Sequence, residues 1–522
     1  MKSLIIKICC LLTLFTGIIA CQSKIDDNYT DPEKTTSGDI GKLFTYMLYN
    51  DRVRPTYWDY ATFVTGVTGK YSQLLGIVTG NKMYEPSTGY NQDRWNSYYT
   101  SGIMNQYREI QKNYNKLTDD QKKEQLIFVQ LAKIVLDDQT AQMVDLWGDI
   151  PFTEAGQLNA TNTLINGKFD DAATIYNTLI SDLKDINTFL STATLTTAVR
   201  QSLTTQDILL KGDLTSWRRY ANSLRLRLLM RISNVIENTA KTEITAMLNN
   251  TSDYPMVENI AEDILLNMNP TAFSSEGMRD GLTDGATSSG PIAPTYMLET
   301  VMVTNNDPRI PVFWDPGTNG YVGLSTTLTS SQQENLIANR QVATIDTATF
   351  IQNYNVPGVL FTAAEVSFLK AEAYERWGLG TAQTAYETGI RQSIEFYYNL
   401  NQSAIFVGFS RKPLSTPSDS TVNAFIAGTG IAYTGTPTEK LHKIWTQKWL
   451  NFFILQAGQA WAEVRRTDYP LLPFAIDASI SNAQQPPHRL LYPDTEKSYN
   501  TANYSKVQSH DTRDYKIFWD LN

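Results

Sequence analysis

Cysteine and histidine are scarce, with three of each among 522 residues. Cys9 and Cys10 lie in the N-terminal segment 1–20, which is predicted below to be removed as a signal peptide. The mature chain would then begin at Cys21, have one cysteine, and form no internal disulfide or multi-cysteine metal site. The histidines are far apart and lack the His-Glu-x-x-His spacing of zinc hydrolases: His442, His488 and His510. No loop motif for calcium is present. We therefore predict no metal, no cofactor and a fold stabilised by core packing.

An excess of basic residues is also absent, because 44 Lys and Arg face 53 Asp and Glu, for a net charge of -9. Phosphate contacts need clustered Lys and Arg, so we predict no nucleic-acid partner. A membrane-spanning helix needs about 20 consecutive apolar residues, and no segment after residue 20 is long and apolar enough. The 42% hydrophobic content is therefore available for a folded core.

The N-terminus has the pattern of a lipoprotein signal peptide, predicted over residues 1–20. Lys2 and Lys7 give a basic start, an apolar run follows, and Ile18-Ile19-Ala20-Cys21 resembles a lipobox. We predict that Cys21 becomes the first residue and is acylated, for example with palmitate, since several acyl chains hold a domain stably on a membrane. Residues 21–38 are polar and acidic, and indicate a flexible tether.

Helical periodicity dominates residues 39–522, which we predict to be one binding domain of mainly α class. In residues 168–190 apolar side chains recur every three or four positions, which places them on one helix face. Residues 39–248 are predicted helical, 249–345 loop-rich, and 346–522 helical with loops. Around Gly378-Leu379-Gly380, small and aromatic residues on both sides predict a tetratricopeptide-type helical hairpin.

Motifs for catalysis are missing. There is no Gly-x-Ser-x-Gly elbow, and Gly66 to Tyr71 departs from a phosphate loop at its first glycine and at Tyr71. A glycosidase pair of carboxylates has no sequence spacing, so a surface glycoside hydrolase stays open as an alternative, as does a structural interaction protein. We predict a binding protein and not an enzyme.

Aromatic residues are abundant, with 28 Tyr and 10 Trp. Many lie among Gly, Asn and Thr in residues 54–100, and another group follows Pro311, a pattern typical of exposed loops. Sugar rings stack their C–H faces on indole and phenol rings, and peptides use similar surfaces. The predicted ligand-binding residues are Trp58, Tyr84, Tyr90, Trp95, Trp314 and Tyr321.

Arginines on apolar helices are predicted to be structural. Five lie between residues 218 and 231, and Arg465-Arg466 follows another apolar stretch. Guanidinium groups could grip an anionic ligand, but inside a helical bundle they more often pair with glutamates. The expected partners are Glu365, Glu372, Glu439 and Glu463.

Several segments together resemble the SusD/RagB family of nutrient-binding outer-membrane lipoproteins. These segments occur in the family's order: Trp147-Gly148-Asp149-Ile150-Pro151-Phe152, Ala221-Asn222-Ser223-Leu224-Arg225-Leu226-Arg227, Glu365 to Glu372, Gln447-Lys448-Trp449 with Trp461 and Arg465-Arg466-Thr467, and Arg489 with Tyr492-Pro493. The resemblance covers nearly all of the chain after Cys21.

The resemblance implies a tetratricopeptide-like helical scaffold with a loop-rich ligand face (SusD-like). It also implies capture of oligosaccharide or peptide, delivery to a SusC-type TonB-dependent transporter, and display on the outer membrane through the lipid anchor. Asp26 and Asp27 resemble the family's surface-export signal, although Lys24 and Ile25 intervene. The family has no fixed binding motif, so the six aromatic residues rest on their predicted loop positions alone.

Overall fold

A computed structural model describes residues 38–521, except 101, 159–163, 269–273, 284–290, 407, 409 and 482–483. The predicted signal peptide, Cys21 and nearly all of the tether lie outside the described residues. The chain is 58% helix and 4% strand, which confirms the mainly α class. No helix among the described residues combines the length and apolarity required to span a bilayer.

Nine α-helices are described before residue 250. They are α1 (Ile40–Leu48), α2 (Gly69–Tyr71), α3 (Thr88–Tyr99), α4 (Ile103–Asn115), α5 (Asp119–Trp147), α6 (Ala172–Thr192), α7 (Thr197–Gln206), α8 (Leu214–Arg231) and α9 (Glu237–Asn249).

Ten more follow. They are α10 (Glu276–Thr283), α11 (Ile310–Phe313), α12 (Ser330–Ala338), α13 (Ala363–Trp377), α14 (Ala382–Gln402), α15 (Asp419–Ile426), α16 (Pro437–Phe452), α17 (Ala457–Thr467), α18 (Asp494–Tyr499) and α19 (Thr501–Val507). Three π-helices (Asp59–Thr68, Tyr296–Val303, Thr347–Ile351) and three 3-10 helices (Ile260–Glu262, Phe453–Gln456, Gln508–His510) complete the helical elements.

The strands are short and form three antiparallel pairs. β1 (Ile150–Pro151) pairs with β2 (Phe169–Asp170), β3 (Ile264–Leu266) with β6 (Gly358–Phe361), and β4 (Trp314–Asp315) with β5 (Thr344–Ile345). Residues 249–345, predicted to be loop-rich, contain the short strands β3, β4 and β5. They also contain α10, α11, α12, a 3-10 helix and a π-helix, which the Gly- and Ser-rich sequence does not predict.

The described part of the scaffold has two large hydrophobic cores. One joins the helices before residue 250 to the C-terminal segment, where Trp519 is buried. The other joins residues 278–350 to α13, α14 and α16, with Phe313 and Phe453 stacked at 4.2 Å between ring centres. The two cores share α13, since Val366 lies in the first and Phe368 in the second.

Helix α13 and helix α14 form the predicted tetratricopeptide-like hairpin. Gly378 ends α13 in the left-handed conformation with φ of 67°, which favours glycine. Gly389 of α14 lies against Phe368, because a Cβ atom there would come within 2.7 Å of the Phe368 ring. The hairpin therefore requires glycine at the point of closest approach.

Buried ion pairs connect the helices, as the sequence predicts for most of the arginines. Arg227 pairs with Glu365 at 2.6 Å and Arg466 with Glu372 at 2.8 Å, and all four side chains are buried. Arg231 pairs with Glu463 at 3.0 Å. The prediction is wrong for Glu439, whose carboxylate instead accepts the backbone N–H of Thr436 and caps α16.

Candidate ligand-binding groove

Two adjoining cavities form a groove between residues of the 249–345 region and α16. One has a volume of about 500 Å³ and the other about 220 Å³, and both are lined by Tyr296 and Thr300. The volume of the larger cavity is typical of small-ligand sites. We call this surface the Tyr296 groove.

Aromatic rings from three separate segments line the larger cavity. Tyr296 comes from a π-helix, and its ring lies 6.3 Å from that of buried Trp449 on α16. His442 of α16 stacks on Tyr469 with ring centres 3.8 Å apart and an interplanar angle of 9°. These three rings are partly exposed, so they offer apolar surface to a ligand, whereas Tyr386, which also lines the cavity, is buried.

Polar groups surround these rings. The lining includes Thr300, Asn305, Thr446 and Lys443, which can accept or donate hydrogen bonds. Lys443 Nζ donates to the carbonyl oxygens of Ala432 at 2.6 Å and Thr434 at 3.0 Å. It thereby fixes the segment 429–435 on α16.

A glycine sets the wall opposite α16. A Cβ atom at Gly430 would lie 2.1 Å from Asn305 Oδ1, so only glycine permits this approach. Asn305 is held in turn, because its Nδ2 donates to the carbonyl of Val301 at 2.7 Å. The cavity wall is therefore built before any ligand arrives.

The loop after α17 bridges both cavities, since Tyr469 lines the larger and Pro473 the smaller. The Pro473 carbonyl accepts from Gln73 Nε2 at 2.7 Å and from Thr326 Oγ1 at 3.2 Å. These bonds come from distant parts of the sequence. They hold the loop across the groove.

Burial governs the titration of the groove. Burial lowers the pKa of His442, with Glu439 acting in the opposite sense. Burial also raises the pKa of Tyr296, with a smaller contribution from Tyr469. Both rings are therefore neutral near pH 7, which suits stacking on an uncharged ligand.

No group of three or more His, Cys, Asp or Glu suited to a metal ion occurs within the described part of the chain. The described residues that line the Tyr296 groove include one carboxylate, that of Glu439.

Three of the six predicted ligand residues are buried, which corrects their predicted exposure on loops. Tyr84 is fully buried, and its hydroxyl donates to the carbonyl of Ala475 at 2.8 Å. Trp95 is 2% exposed, and its Nε1 donates to Glu496 Oε1 at 3.2 Å. Trp314 is 1% exposed, because it lies in β4 and its ring packs on Phe453 at 5.2 Å.

The other three are accessible but do not meet in one place. Trp58 is 62% exposed and lines a separate cavity. Tyr90 is half-buried on α3, and Tyr321 is half-buried against the second core near Asp315 and Asp346. None of the six lines the Tyr296 groove.

Tyr296, His442 and Tyr469 were not among the residues predicted from sequence. Tyr296 and Tyr469 lie 173 positions apart, and His442 lies within a helix whose other residues have the pattern of scaffold. The one available signal was Tyr469-Pro470 in a loop directly after the Arg465-Arg466 motif.

The chain is similar in sequence to one protein family and in structure to many solved proteins. The family described as "SusD-like_2: Starch-binding associating with outer membrane" matches residues 32–493. Among proteins with curated descriptions, none matches the chain.

Three solved structures illustrate the likeness. A chitin-binding protein is 22% identical, with a TM-score of 0.72, and the match covers 92% of this chain and 99% of the other. A chitin-binding SusD homologue from Flavobacterium johnsoniae is 22% identical, with a TM-score of 0.71 and the same coverage. A SusD homologue from Bacteroides fragilis is 18% identical, with a TM-score of 0.72 and the same coverage.

Proposed function

Since the chain belongs to the SusD-like family of starch-binding proteins that associate with the outer membrane, we propose that it captures oligosaccharide at the cell surface for uptake. The Tyr296 groove is the capture site in this proposal. The observation that carries it is the partly exposed set of neutral rings, Tyr296 and the His442–Tyr469 stack, within a cavity of about 500 Å³.

The groove suits a saccharide better than a charged ligand. Flat rings offer stacking surface for the C–H faces of pyranose rings, and Thr300, Asn305 and Thr446 can hydrogen-bond hydroxyl groups. Two of the similar solved structures are described as chitin-binding. A peptide is the other ligand class that such rings accommodate, and the binding experiment below includes it.

The groove chemistry favours binding over hydrolysis. Glycoside hydrolysis uses two carboxyl groups on opposite sides of the scissile bond. Among the described lining residues, Glu439 supplies one, and its carboxylate already accepts from Thr436 at the start of α16. That hydrogen bond with the Thr436 backbone lowers the pKa of Glu439, the opposite of what a general acid needs.

A binding panel tests the capture site. The protein that begins at residue 22 is titrated with maltotetraose, chitotetraose, a wider set of glycans and mixed tetrapeptides, and released sugar is measured in parallel. We expect glycan binding without turnover, and a loss of affinity of at least about tenfold for Tyr296→Ala and for Tyr469→Ala. Ser479→Ala, in the same loop but outside the groove lining, is the matched control.

Binding of peptides alone would replace the saccharide proposal, and turnover of a glycan would favour the hydrolase. Unchanged glycan affinity in both tyrosine variants would show that the Tyr296 groove is not the capture site.

We further propose that acylated Cys21 anchors the protein to the outer membrane and that a SusC-type transporter receives the ligand. The lipobox-like Ile18-Ile19-Ala20-Cys21 and the family membership support this. Metabolic labelling with an alkyne fatty acid should mark the wild-type protein and leave Cys21→Ser unmarked. Affinity purification from outer membranes should recover a TonB-dependent transporter with the wild type. An unlabelled wild-type protein, or its purification without a transporter, would contradict the corresponding step.

A further inference from the structure

A separate cavity, of about 230 Å³, opens beside Trp58 and shares no lining residue with the Tyr296 groove. Trp58 is 62% exposed, and it is the one tryptophan among the exposed large hydrophobic residues of the described part of the chain. The neighbouring Tyr57 ring meets it at 87° with centres 4.9 Å apart. The exposed indole face beside the cavity offers a stacking surface to a ligand that enters it.

The floor of this cavity is a built polar cluster. Asp59 Oδ1 accepts from Arg52 Nη1 at 3.1 Å and from Arg94 Nη1 at 2.5 Å. Arg52 Nη2 also donates to the Arg94 carbonyl at 3.0 Å, and the Arg94 guanidinium lies 4.1 Å from the centre of the Phe63 ring. These contacts fix both guanidinium groups before a ligand binds.

Arg94 has unused hydrogen-bonding capacity. Its residue is 8% exposed, and its Nε has no hydrogen-bond partner within the described residues. A buried N–H without a partner costs free energy, which the ion pair of Arg94 with Asp59 helps to offset. Arg94 lines both this cavity and a polar chamber of about 90 Å³ behind it.

The charges of the lining nearly cancel, which favours a neutral ligand. Three carboxylates (Asp51, Asp59 and Asp93) and two guanidinium groups (Arg52 and Arg94) line the cavity, for a net charge of -1. The carboxylates disfavour an anion, and the two guanidinium groups, which pair with Asp59, offset much of the attraction that the carboxylates have for a cation. Donors and acceptors that lie side by side instead match neighbouring hydroxyl groups, each of which both donates and accepts.

We propose that the Trp58 cavity is a second saccharide site, which takes a single neutral pyranose ring stacked on the indole. Its volume lies below the range typical of larger ligands, which indicates one ring and not a chain segment. The proposal rests on the proposed function for its ligand class, but it concerns a separate surface. A terminal or branch sugar held there would make capture of a long glycan bivalent and tighten it without new contacts in the Tyr296 groove.

Fluorine NMR of protein labelled with 5-fluorotryptophan tests this proposal. The chain has ten tryptophans, and the Trp58 resonance is assigned by its absence in Trp58→Phe. Methyl glycosides of glucose, galactose, mannose, xylose and N-acetylglucosamine serve as the ligands, and N-acetyl-lysine methylamide serves as a cationic comparison. Trp377, which lines neither cavity, is the control resonance.

We expect at least one glycoside to shift the Trp58 resonance saturably, to leave Trp377 in place, and to do so equally in a Tyr296→Ala background. Trp58→Ala should lower affinity for that glycoside by at least about tenfold, since the stacking surface is lost. Because Trp58 is exposed, Trp58→Ala should fold as the wild type does, and its unfolding midpoint, measured alongside, should match that of the wild type.

Three results would overturn the second site: no shift with any glycoside, a shift that disappears with Tyr296→Ala, or a shift with the cationic compound alone. The two proposals can be tested separately. If Tyr296→Ala loses glycan binding and no glycoside shifts the Trp58 resonance, the groove is supported and the second site is refuted. If Tyr296→Ala keeps glycan binding and a glycoside shifts the Trp58 resonance, the groove is refuted and the second site is supported.

Discussion

The buried ion-pair cluster around Glu372 and the Tyr296 groove differ in how their polar and aromatic side chains are used. In the cluster, Glu372, Glu463, Arg466 and Lys448 are buried and satisfy one another, with Lys448 Nζ 2.5 Å from Glu463. In the groove, Tyr296, His442 and Tyr469 remain partly exposed with polar neighbours that face a cavity. The cluster uses its polar atoms to define the fold, and the groove keeps its surface available for a ligand.

The largest expected effect breaks the cluster. Glu372→Ala removes the carboxylate that accepts two hydrogen bonds from Arg466, at 2.9 and 2.8 Å. Removal of one partner from a buried pair typically costs about 3–5 kcal/mol, because the other charge stays buried. Urea unfolding measures the loss. The exposed pair of Lys123 and Asp120 is the control, and Asp120→Ala should cost less than about 1 kcal/mol.

Acid should weaken the cluster in a defined pH range. Arg466 and Lys448 overcome the opposing effect of burial and hold the pKa of Glu372 at about 2, below its ordinary value of 4.5. A depressed folded-state pKa gives stability that is complete above the unfolded pKa and is lost as the pH falls through the folded value. The window is therefore pH 4.5 to 2.

The difference in free energy of unfolding between wild type and Glu372→Gln should shrink by a few kcal/mol as the pH falls from 6 to 3. A difference that stays constant over this range would show that the Glu372 carboxylate is not held ionised by its partners.

A larger side chain at Gly389 tests how closely α13 and α14 approach each other. Gly389→Ala would place a Cβ atom 2.7 Å from the Phe368 ring, between α13 and α14. Overpacking of this kind costs about 1–3 kcal/mol. Gly458→Ala in α17 is the matched control, because nothing lies within 4 Å of its Cβ position and its helix should gain stability slightly. Equal unfolding midpoints for the two variants would contradict the close approach.

The smallest expected effect on stability belongs to the groove. Tyr296→Ala should change the free energy of unfolding by less than about 1 kcal/mol, while glycan affinity falls. Thermal unfolding and calorimetric titration on the same samples separate the two quantities. A stability loss as large as that of Glu372→Ala would place Tyr296 with the scaffold.

The same contrast explains what could be predicted from sequence. Pairing of Arg227 with Glu365 was predictable, because charges on apolar helix faces need partners in a bundle. The hairpin at Gly378 was predictable from its turn and small residues. Residues 249–345 were predictable as a loop-rich region, but their helices were not, because tertiary packing and not local sequence pattern stabilises those helices.

The candidate site was poorly predicted for a physical reason. Tyr and Trp are amphipathic, so Trp95, Tyr84 and Trp314 can satisfy their polar atoms or pack their rings inside the core while the sequence around them has the composition of a loop. Tyr84 in fact positions the groove loop from behind through the Ala475 carbonyl. The groove rings come together through long-range packing, which no local pattern encodes. The predictions for Cys21 and for the boundaries of the tether stay predictions.

A crystal structure of the protein with the tightest-binding glycan from the panel tests the central claim most directly. We expect a sugar ring stacked on Tyr296 or Tyr469, with its hydroxyl groups hydrogen-bonded to Thr300, Asn305 or Thr446. A glycan bound on another face, with the Tyr296 groove filled by solvent alone, would contradict it.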